Sequence, residues 1–555
     1  MDEALFKKVP VKVQKKSGFD LSFQNLLTTK VGTITPVLCE ELIPNETVHL
    51  GAAIQAQLPP LASDTFMRCD LKYEAFFVPH RLVMRGFEDW LVPNSKIGVP
   101  DVGSQYLPHI PIVRLSYEDI KRGTLADYLG VKSSYFATGG TSAVTMFDVN
   151  ALPFLGYHKI YDDWYRNTLV QKTIYRSEGL LNANAVGSEG DVYYSAGNSQ
   201  TVVPNTSRGY VMSGSSKNFI DNVSVTSLRQ RNFGIDYFTS STPSAQNGAE
   251  QGLRMTVDAA NTASFSIGQL RAANAIQQWL ERNNLAGNRL VDYVKANYGA
   301  SLSDGVAQRS LLLGSGQFSV YSKGIYQSQN EPADGSISVN TPFYSVGAKY
   351  GSAFAEGSET IIDSFTAMEP GYLFVMCTLV PKVTYATGID KKLIRYINND
   401  RSDMANPLLQ GVGNQPVWSS ELCNLTPNSD LRGSIFGYQE RYAEWKSKND
   451  ELHGLLREAV ATGDTAGTLS SFALQSSFNL ADTPSISSNF LQIPTDYLDN
   501  VAAVEGDISK YGCWIDSYFD FKVSMPLARY SMPTLQDPAY EHGVDVVLDR
   551  GGKRL

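Results

Sequence analysis

Over the first hundred residues apolar and polar positions alternate with a period of two, the pattern of strands covered on one face only. From Met67 to Phe77 one side reads Met67, Cys69, Leu71, Tyr73, Ala75 and Phe77, and the other Arg68, Asp70, Lys72 and Glu74. This predicts an antiparallel strand whose charged side faces water or a neighbouring subunit. Before it, Val48, Leu50, Ala52, Ile54, Ala56 and Leu58 alternate with His49, Gly51, Ala53, Gln55 and Gln57. The intervening LPPLASD is turn chemistry, because Pro59 and Pro60 cannot extend a ladder. Val31 to Glu41 is a third strand candidate, set off by a turn at Pro44-Asn45. Far along the chain, Gly371 to Val380 (GYLFVMCTLV) is short, continuously apolar and bounded by Pro370 and Pro381, as expected of a strand covered on both faces. Near the C-terminus Ile515, Phe519, Phe521, Val523 and Met525 share one side, and Asp516, Tyr518, Asp520 and Lys522 the other.

The middle of the chain differs. Ser266 and Gln269 have capping-box spacing ahead of a stripe of Leu270, Ala273, Ile276, Trp279 and Leu280, which predicts a helix over QLRAANAIQQWLERN. A second helix, Arg289 to Tyr298, should stop at Gly299. From Ser177 to about Thr262 the chain is rich in Ser, Gly, Asn and Thr and reads as extended surface loop with some edge strands. Strands at both ends around such a middle predict a mainly β protein. Eight barrel strands need only about 150 residues, so most of the 555 residues would be insertions, which is where contacts with neighbours sit.

Composition sharpens this. Charged residues are 19% of the chain and hydrophobic ones 43%, against roughly 25% charged in ordinary soluble proteins. Ser, Thr, Asn, Gln and Gly fill the gap, and a surface poor in charge but not greasy suits large permanent interfaces. The balance of 47 Lys+Arg against 56 Asp+Glu, net −9, excludes a free-standing basic nucleic-acid clamp. The first sixteen residues run against that trend, with Lys7, Lys8, Lys12, Lys15 and Lys16 facing only Asp2 and Glu3. Such an arm either neutralises phosphates or is a solvated tail. In the cluster Tyr161, Trp164, Tyr165 and Arg166, rings and guanidinium suit stacking on unpaired bases, although these types more commonly anchor cores and interfaces.

Catalytic chemistry is thin. GxxxxGK[ST], GxSxG and HExxH are absent. The six histidines (His49, His80, His109, His158, His453, His542) have no second His or Cys at ligand spacing. The five cysteines (Cys39, Cys69, Cys377, Cys423, Cys513) never form CxxC, which predicts reduced thiols used as small core residues. Glu40-Glu41 and Asp162-Asp163 are adjacent pairs, and in a strand adjacent side chains point to opposite faces. No catalytic residue, metal ligand or cofactor is expected. Gly371 to Val380 is about half a bilayer span, and the N-terminus lacks the apolar core of a secretory signal.

Six segments in order carry a resemblance. Ser17 to Thr35 (SGFDLSFQNLLTTKVGTIT), Phe76 to Val83 (FFVPHRLV) with Phe87 to Trp90, Asp163 to Asn167 (DWYRN), Asp236 to Ser240 (DYFTS), the QLRAANAIQQWLERN helix and Gly437 to Glu444 (GYQERYAE) are similar to the major capsid proteins of microviruses, closest to the gokushovirus-like branch. The resemblance implies a mainly β fold, a single eight-stranded antiparallel jelly-roll barrel with long loop and helix insertions. On this reading residues 1–20 are a basic arm and 21–555 the capsid domain, with a loop-rich insertion at about 177–262 and a helical one at about 266–299. It implies a T=1 icosahedral shell around a single-stranded DNA genome, without enzymatic activity or cofactors, assembled in the bacterial host cytoplasm and ending in the virion. Implied partners are copies of itself, a scaffolding protein, a small basic DNA-packaging protein, a pilot protein and a host surface receptor, with no membrane. Two acidic surfaces repel, so assembly needs apolar interface cores and local charge complementarity, for which Arg68, Asp70, Lys72 and Glu74 are candidates. In gokushovirus-like relatives the large insertion falls between the DYFTS-like motif and the QLR helix. Here Thr242 to Ile267 is short and the long loop comes earlier, so a surface excursion is expected at about Ser177 to Val225. The rival reading is a jelly-roll lectin or glycan-degrading enzyme, the latter with two carboxylates across a cleft.

Overall fold

The computed structural model describes residues 16–62, 65–66, 68–84, 87, 91, 110, 112–115, 118–132, 147–171, 204–205, 209–213, 225–244, scattered positions within 268–282, and 289–326, 349–396, 401–423, 432–457, 469, 472–478, 485–503, 512–527 and 529. Its strands are β1 (Ser17–Asp20), β2 (Phe23–Thr29), β3 (Thr33–Leu42), β4 (Thr47–Gln57), β5 (Cys69–Pro79), β6 (Ile112–Leu115), β7 (Phe147–Asn150), β8 (Pro204–Asn205), β9 (Gly209–Ser213), β10 (Arg229–Gln230), β11 (Leu311–Tyr326), β12 (Lys349–Thr366), β13 (Gly371–Pro381), β14 (Asn414–Trp418), β15 (Ile435–Glu440) and β16 (Cys513–Met525).

The fold is mainly β, and among the described residues the main sheet has ten strands, two more than the expected eight, in the order β1-β16-β4-β12-β11-β5-β13-β3-β10 with β2 also on β16. Short β1 and β10 supply the surplus at its edges. Every pairing in it is antiparallel. β16 lies between β2 and β4, so the two ends of the chain close one sheet, which is why strand patterns recur at both ends of the sequence. The inner sides of β4 and β16 follow the alternation: Val48, Leu50, Ala52, Ile54 and Ala56, then Ile515, Phe519, Phe521 and Val523, are all at most 4% exposed. Ser517 shares that inner side, satisfied by Tyr73, whose hydroxyl lies 2.8 Å from Ser517 Oγ.

β13 is buried along its whole length, as its continuous apolar run predicts. Leu373, Val375, Cys377 and Leu379 join the core enclosed by the sheet. Tyr372, Phe374 and Met376 join a second cluster on the opposite face, with Phe76 and Val78 of β5 and the helix Leu152–Ile160. Gly156 lets that helix approach, since a Cβ there would meet Phe374 Cε2 at 2.8 Å. A third cluster, with Phe238, Phe436, Phe490 and Val417, sits around the β14–β15 hairpin.

Several elements were not evident from the sequence. β11 and β12 are long, but Gly, Ser and Ala dilute their alternation; Gly314 marks a register shift where a Cβ would fall 1.9 Å from Ile361 O. The helix Leu152–Ile160, continuing as the π-helix Tyr161–Tyr165, is apolar nearly all round because it is buried, and so shows little stripe. The expected strand Val31 to Glu41 begins at Thr33, with Val31 as an isolated bridge to Leu379. The helix expected at Arg289 to Tyr298 spans Leu290–Tyr298 and ends on Gly299 at φ 66°. In the QLR segment positions 268, 271, 274–276, 278–279 and 282 are helical. Much of the 177–262 insertion, and Met67, lie outside the described residues.

Candidate assembly surfaces

The DWYRN segment closes a clamp. Glu74, on the covered face of β5, receives two hydrogen bonds from Arg231, Nη1 at 2.5 Å and Nη2 at 3.0 Å, and one from the Tyr165 hydroxyl at 2.5 Å. Burial pushes the Glu74 carboxyl up, but Arg231 and Tyr165 outweigh it and hold the group below its usual range. Arg231 also lies over the Tyr165 ring, 5.0 Å from its centroid. Trp164 donates from Nε1 to Ser310 O at 3.1 Å, while Arg309 stacks on its ring at 3.5 Å. Arg166 pairs with Asp162 at 2.7 Å and donates to Gln171 O. Asp163, the neighbour of Asp162, pairs instead with Lys159 and accepts from Ser310 N and Oγ. These groups tie one helix to the sheet and to the chain at 229–232 and 309–310. The rings and guanidinium suited to unpaired bases therefore spend their contacts inside the subunit.

Within the subunit the side chains Arg68, Asp70, Lys72 and Glu74 go to different surroundings rather than forming one exposed face. Arg68 reaches out to Asp450 at 2.7 Å, with both side chains largely exposed. Asp70 is buried and accepts from Ser319 Oγ at 3.0 Å. Lys72 is half-buried, and Glu74 belongs to the clamp. Alternation alone shows which side chains point away from the core, not what the insertions place over them. Of the arm lysines only Lys16 is described, donating to Thr47 Oγ1 at 3.1 Å; Lys7, Lys8, Lys12 and Lys15 lie outside the described residues.

All five cysteines are free, four of them buried. Burial pushes the Cys513 thiol up to about 12. His158 is fully buried, donating from Nε2 to Val225 O at 2.8 Å and accepting from Arg229 Nε at Nδ1, 3.3 Å. Burial and then the Arg229 charge pull it down to about 3, so the imidazole is neutral. Among the described residues no group of three or more His, Cys, Asp or Glu is placed to hold a metal ion, and no helix is long and apolar enough to cross a membrane. A cavity of about 740 Å³ beside the third cluster is lined by Tyr237, Glu421, Glu444 and Trp445 among others. Its carboxylates are committed: Glu421 accepts from Tyr237 Oη and Trp418 N and lies 3.5 Å from Lys391, and Glu444 pairs with Arg395.

The opposite half of the main sheet presents a different surface. On the outer side of β2, β16, β4, β12 and β11, register sets Thr28 beside Trp514, Trp514 beside Gln57, Gln57 beside Phe354, and Phe354 beside Tyr321. Trp514 is 43% exposed, Tyr321 60% and, farther along β16, Tyr518 50%. Among the described residues none of these three side chains has a hydrogen-bond partner or a stacked ring. Nothing in one strand's sequence announces this row, because its members lie between residues 28 and 514 and meet only through pairing.

A surface so divided between tight internal clamps and bare rows suits a subunit of an assembly, and comparison with known proteins decides which. The family of the capsid protein (F protein) matches residues 7–535. The chain belongs to this capsid protein family. Three relatives are similar over nearly their whole length, each 24% identical: capsid protein VP1 of Chlamydia phage 1, covering 96% of this chain and 97% of its own; that of Bdellovibrio phage phiMH2K, 95% and 97%; and that of Spiroplasma virus 4, 94% and 95%. The resemblance to microvirus capsid proteins is borne out, and this F-family capsid protein is a structural protein, not an enzyme. Neither the family nor these relatives support the lectin or glycan-degrading alternative.

Proposed function

We propose that this capsid protein assembles with copies of itself into a T=1 icosahedral shell around a single-stranded DNA genome, and that its eight principal strands form a jelly roll. The observation that carries the reading is the match along nearly the whole chain to capsid proteins. The strand order supports it: β2-β16-β4-β12 and β3-β13-β5-β11 are two four-stranded halves of one antiparallel sheet, each mixing strands from both ends of the chain, as in a double Greek key. Residues 21–555 are then one capsid domain, with the insertions making its contacts. Assembly in the host cytoplasm, a scaffolding protein, a small basic DNA-packaging protein, a pilot protein and a host surface receptor complete the proposal, supported by family membership alone.

The test is expression of the full chain with its phage's assembly genes, followed by size-exclusion chromatography and negative-stain imaging. Uniform closed particles are the expected result; a persistent monomer would sink the reading. The lysines of residues 1–15 are proposed to neutralise phosphates. Replacing Lys7, Lys8, Lys12 and Lys15 with Gln should lower packaged DNA per particle, and unchanged packaging would mark them as a solvated tail.

A further inference from the structure

We propose that the outer face of β2, β16, β4 and β12 is a stacking platform for single-stranded nucleic acid, centred on Trp514 and Phe354. The inference rests on the reading above, that the shell encloses such a genome, and names where the subunit holds it. A groove of about 930 Å³ runs over this face, with Trp514, Gln57, Phe354 and Leu26 on its floor and Arg122 and Lys132 on the wall formed by residues 122–132. That wall is fixed to the sheet by the Tyr128 hydroxyl, which donates to Thr28 O at 2.5 Å.

The arrangement fits unpaired bases. Phe354 and Trp514 lie two strands apart, about 10 Å, with Gln57 between them in register. Bases splayed from a single strand can lie on the two rings while the Gln57 amide meets a base edge, the way an open antiparallel sheet with aromatics on adjacent strands holds nucleotides. A duplex keeps its base faces stacked inside and cannot reach the rings. Arg122 and Lys132 are exposed and have no ion-pair partner among the described residues, so they are available to phosphates. Asp516 is occupied by Gln24, whose Nε2 donates at 2.8 and 2.9 Å, and Asp127 accepts from Gly123 N; Glu356 is exposed.

The charges also predict how binding behaves. Among the described residues three carboxylates (Asp127, Glu356, Asp516) and two cations line the groove, so the rings and amides supply most of the affinity and the salt slope is shallow, set by the phosphates that Arg122 and Lys132 meet. A second copy of the chain is the competing occupant. Single rings separated by amides and hydroxyls, rather than a continuous apolar patch, favour the nucleic acid.

The experiment titrates the unassembled full chain with a short fluorescent oligothymidylate at several salt concentrations. Trp514→Ala combined with Phe354→Ala should weaken binding roughly tenfold or more with little change in salt slope, whereas Trp514→Phe should retain most of the affinity. Arg122→Gln should instead flatten the slope by about 0.7 for each phosphate left without its cation. Equal affinity of wild type and the double alanine variant, with circular dichroism unchanged, overturns the proposal. So does failure of particle formation in Trp514→Ala with oligonucleotide binding intact, which would assign the face to a neighbouring subunit. Failure of the shell reading shows separately: wild type that forms no particles but binds the oligonucleotide through its rings leaves the platform standing.

Discussion

The two halves of the main sheet are neighbours built from strands of similar length, yet among the described residues one is covered on both faces and the other on one. In β3-β13-β5-β11 the outward side chains Phe76, Tyr372, Phe374 and Met376 meet a helix and are buried. In β2-β16-β4-β12 the outward positions hold Leu26, Gln55, Gln57, Trp514 and Tyr518, and the larger ones stand 43 to 73% exposed. The covered half spends its polar groups inward, as in the Glu74, Arg231 and Tyr165 clamp. The bare half leaves the rings of Trp514 and Tyr518 without partners among the described residues. Strength within the subunit and availability to other molecules are thus divided between two halves of one sheet.

The sharpest way to break this comparison is to delete a ring from each half. Phe374→Ala should cost about 3–5 kcal/mol, read as a shift of the urea midpoint of the unassembled chain, because it empties a site with 0% exposure beneath the helix. A loss under about 1 kcal/mol would mean that the second cluster does not hold the helix down.

Next comes acid. His158, behind the covered half, is held neutral down to about pH 3 by burial and Arg229, while in the unfolded chain it protonates near its ordinary value of about 6.5. Its contribution is complete above about 6.5 and falls as the pH drops toward 3, since the unfolded state takes up a proton the folded state refuses. Between pH 7.5 and 5 the wild type should therefore lose about 2 kcal/mol more than His158→Gln; parallel curves would remove His158 from the acid response. The smallest effect belongs to the bare half: Tyr518→Ala should change subunit stability by under about 1 kcal/mol, and a larger loss would show that the face supports its own fold.

The covered strand β13 was legible because both its faces are apolar, and β4 and β16 because theirs alternate. The helix beginning at Leu152 was not, since a helix buried all round has no polar side to give it a period. The charged side of β5 was legible as a side but not as a destination: Arg68 ends outside, Asp70 and Glu74 inside. Trp164, Tyr165 and Arg166 stood out by residue type, and the contacts that occupy them come from positions 74, 171 and 309–310.

The chain by itself determined which positions turn inward, where strands stop at Pro and Gly, and, through six ordered segments, the family to which it belongs. These are local properties, carried by the period of side-chain direction and by backbone restrictions. Only the tertiary structure decided what lies over each outward face and which distant residues share a row. Strand pairing brings Thr28, Gln57, Tyr321, Phe354 and Trp514 together across hundreds of residues, while the helix Leu152–Ile160 docks on the other half.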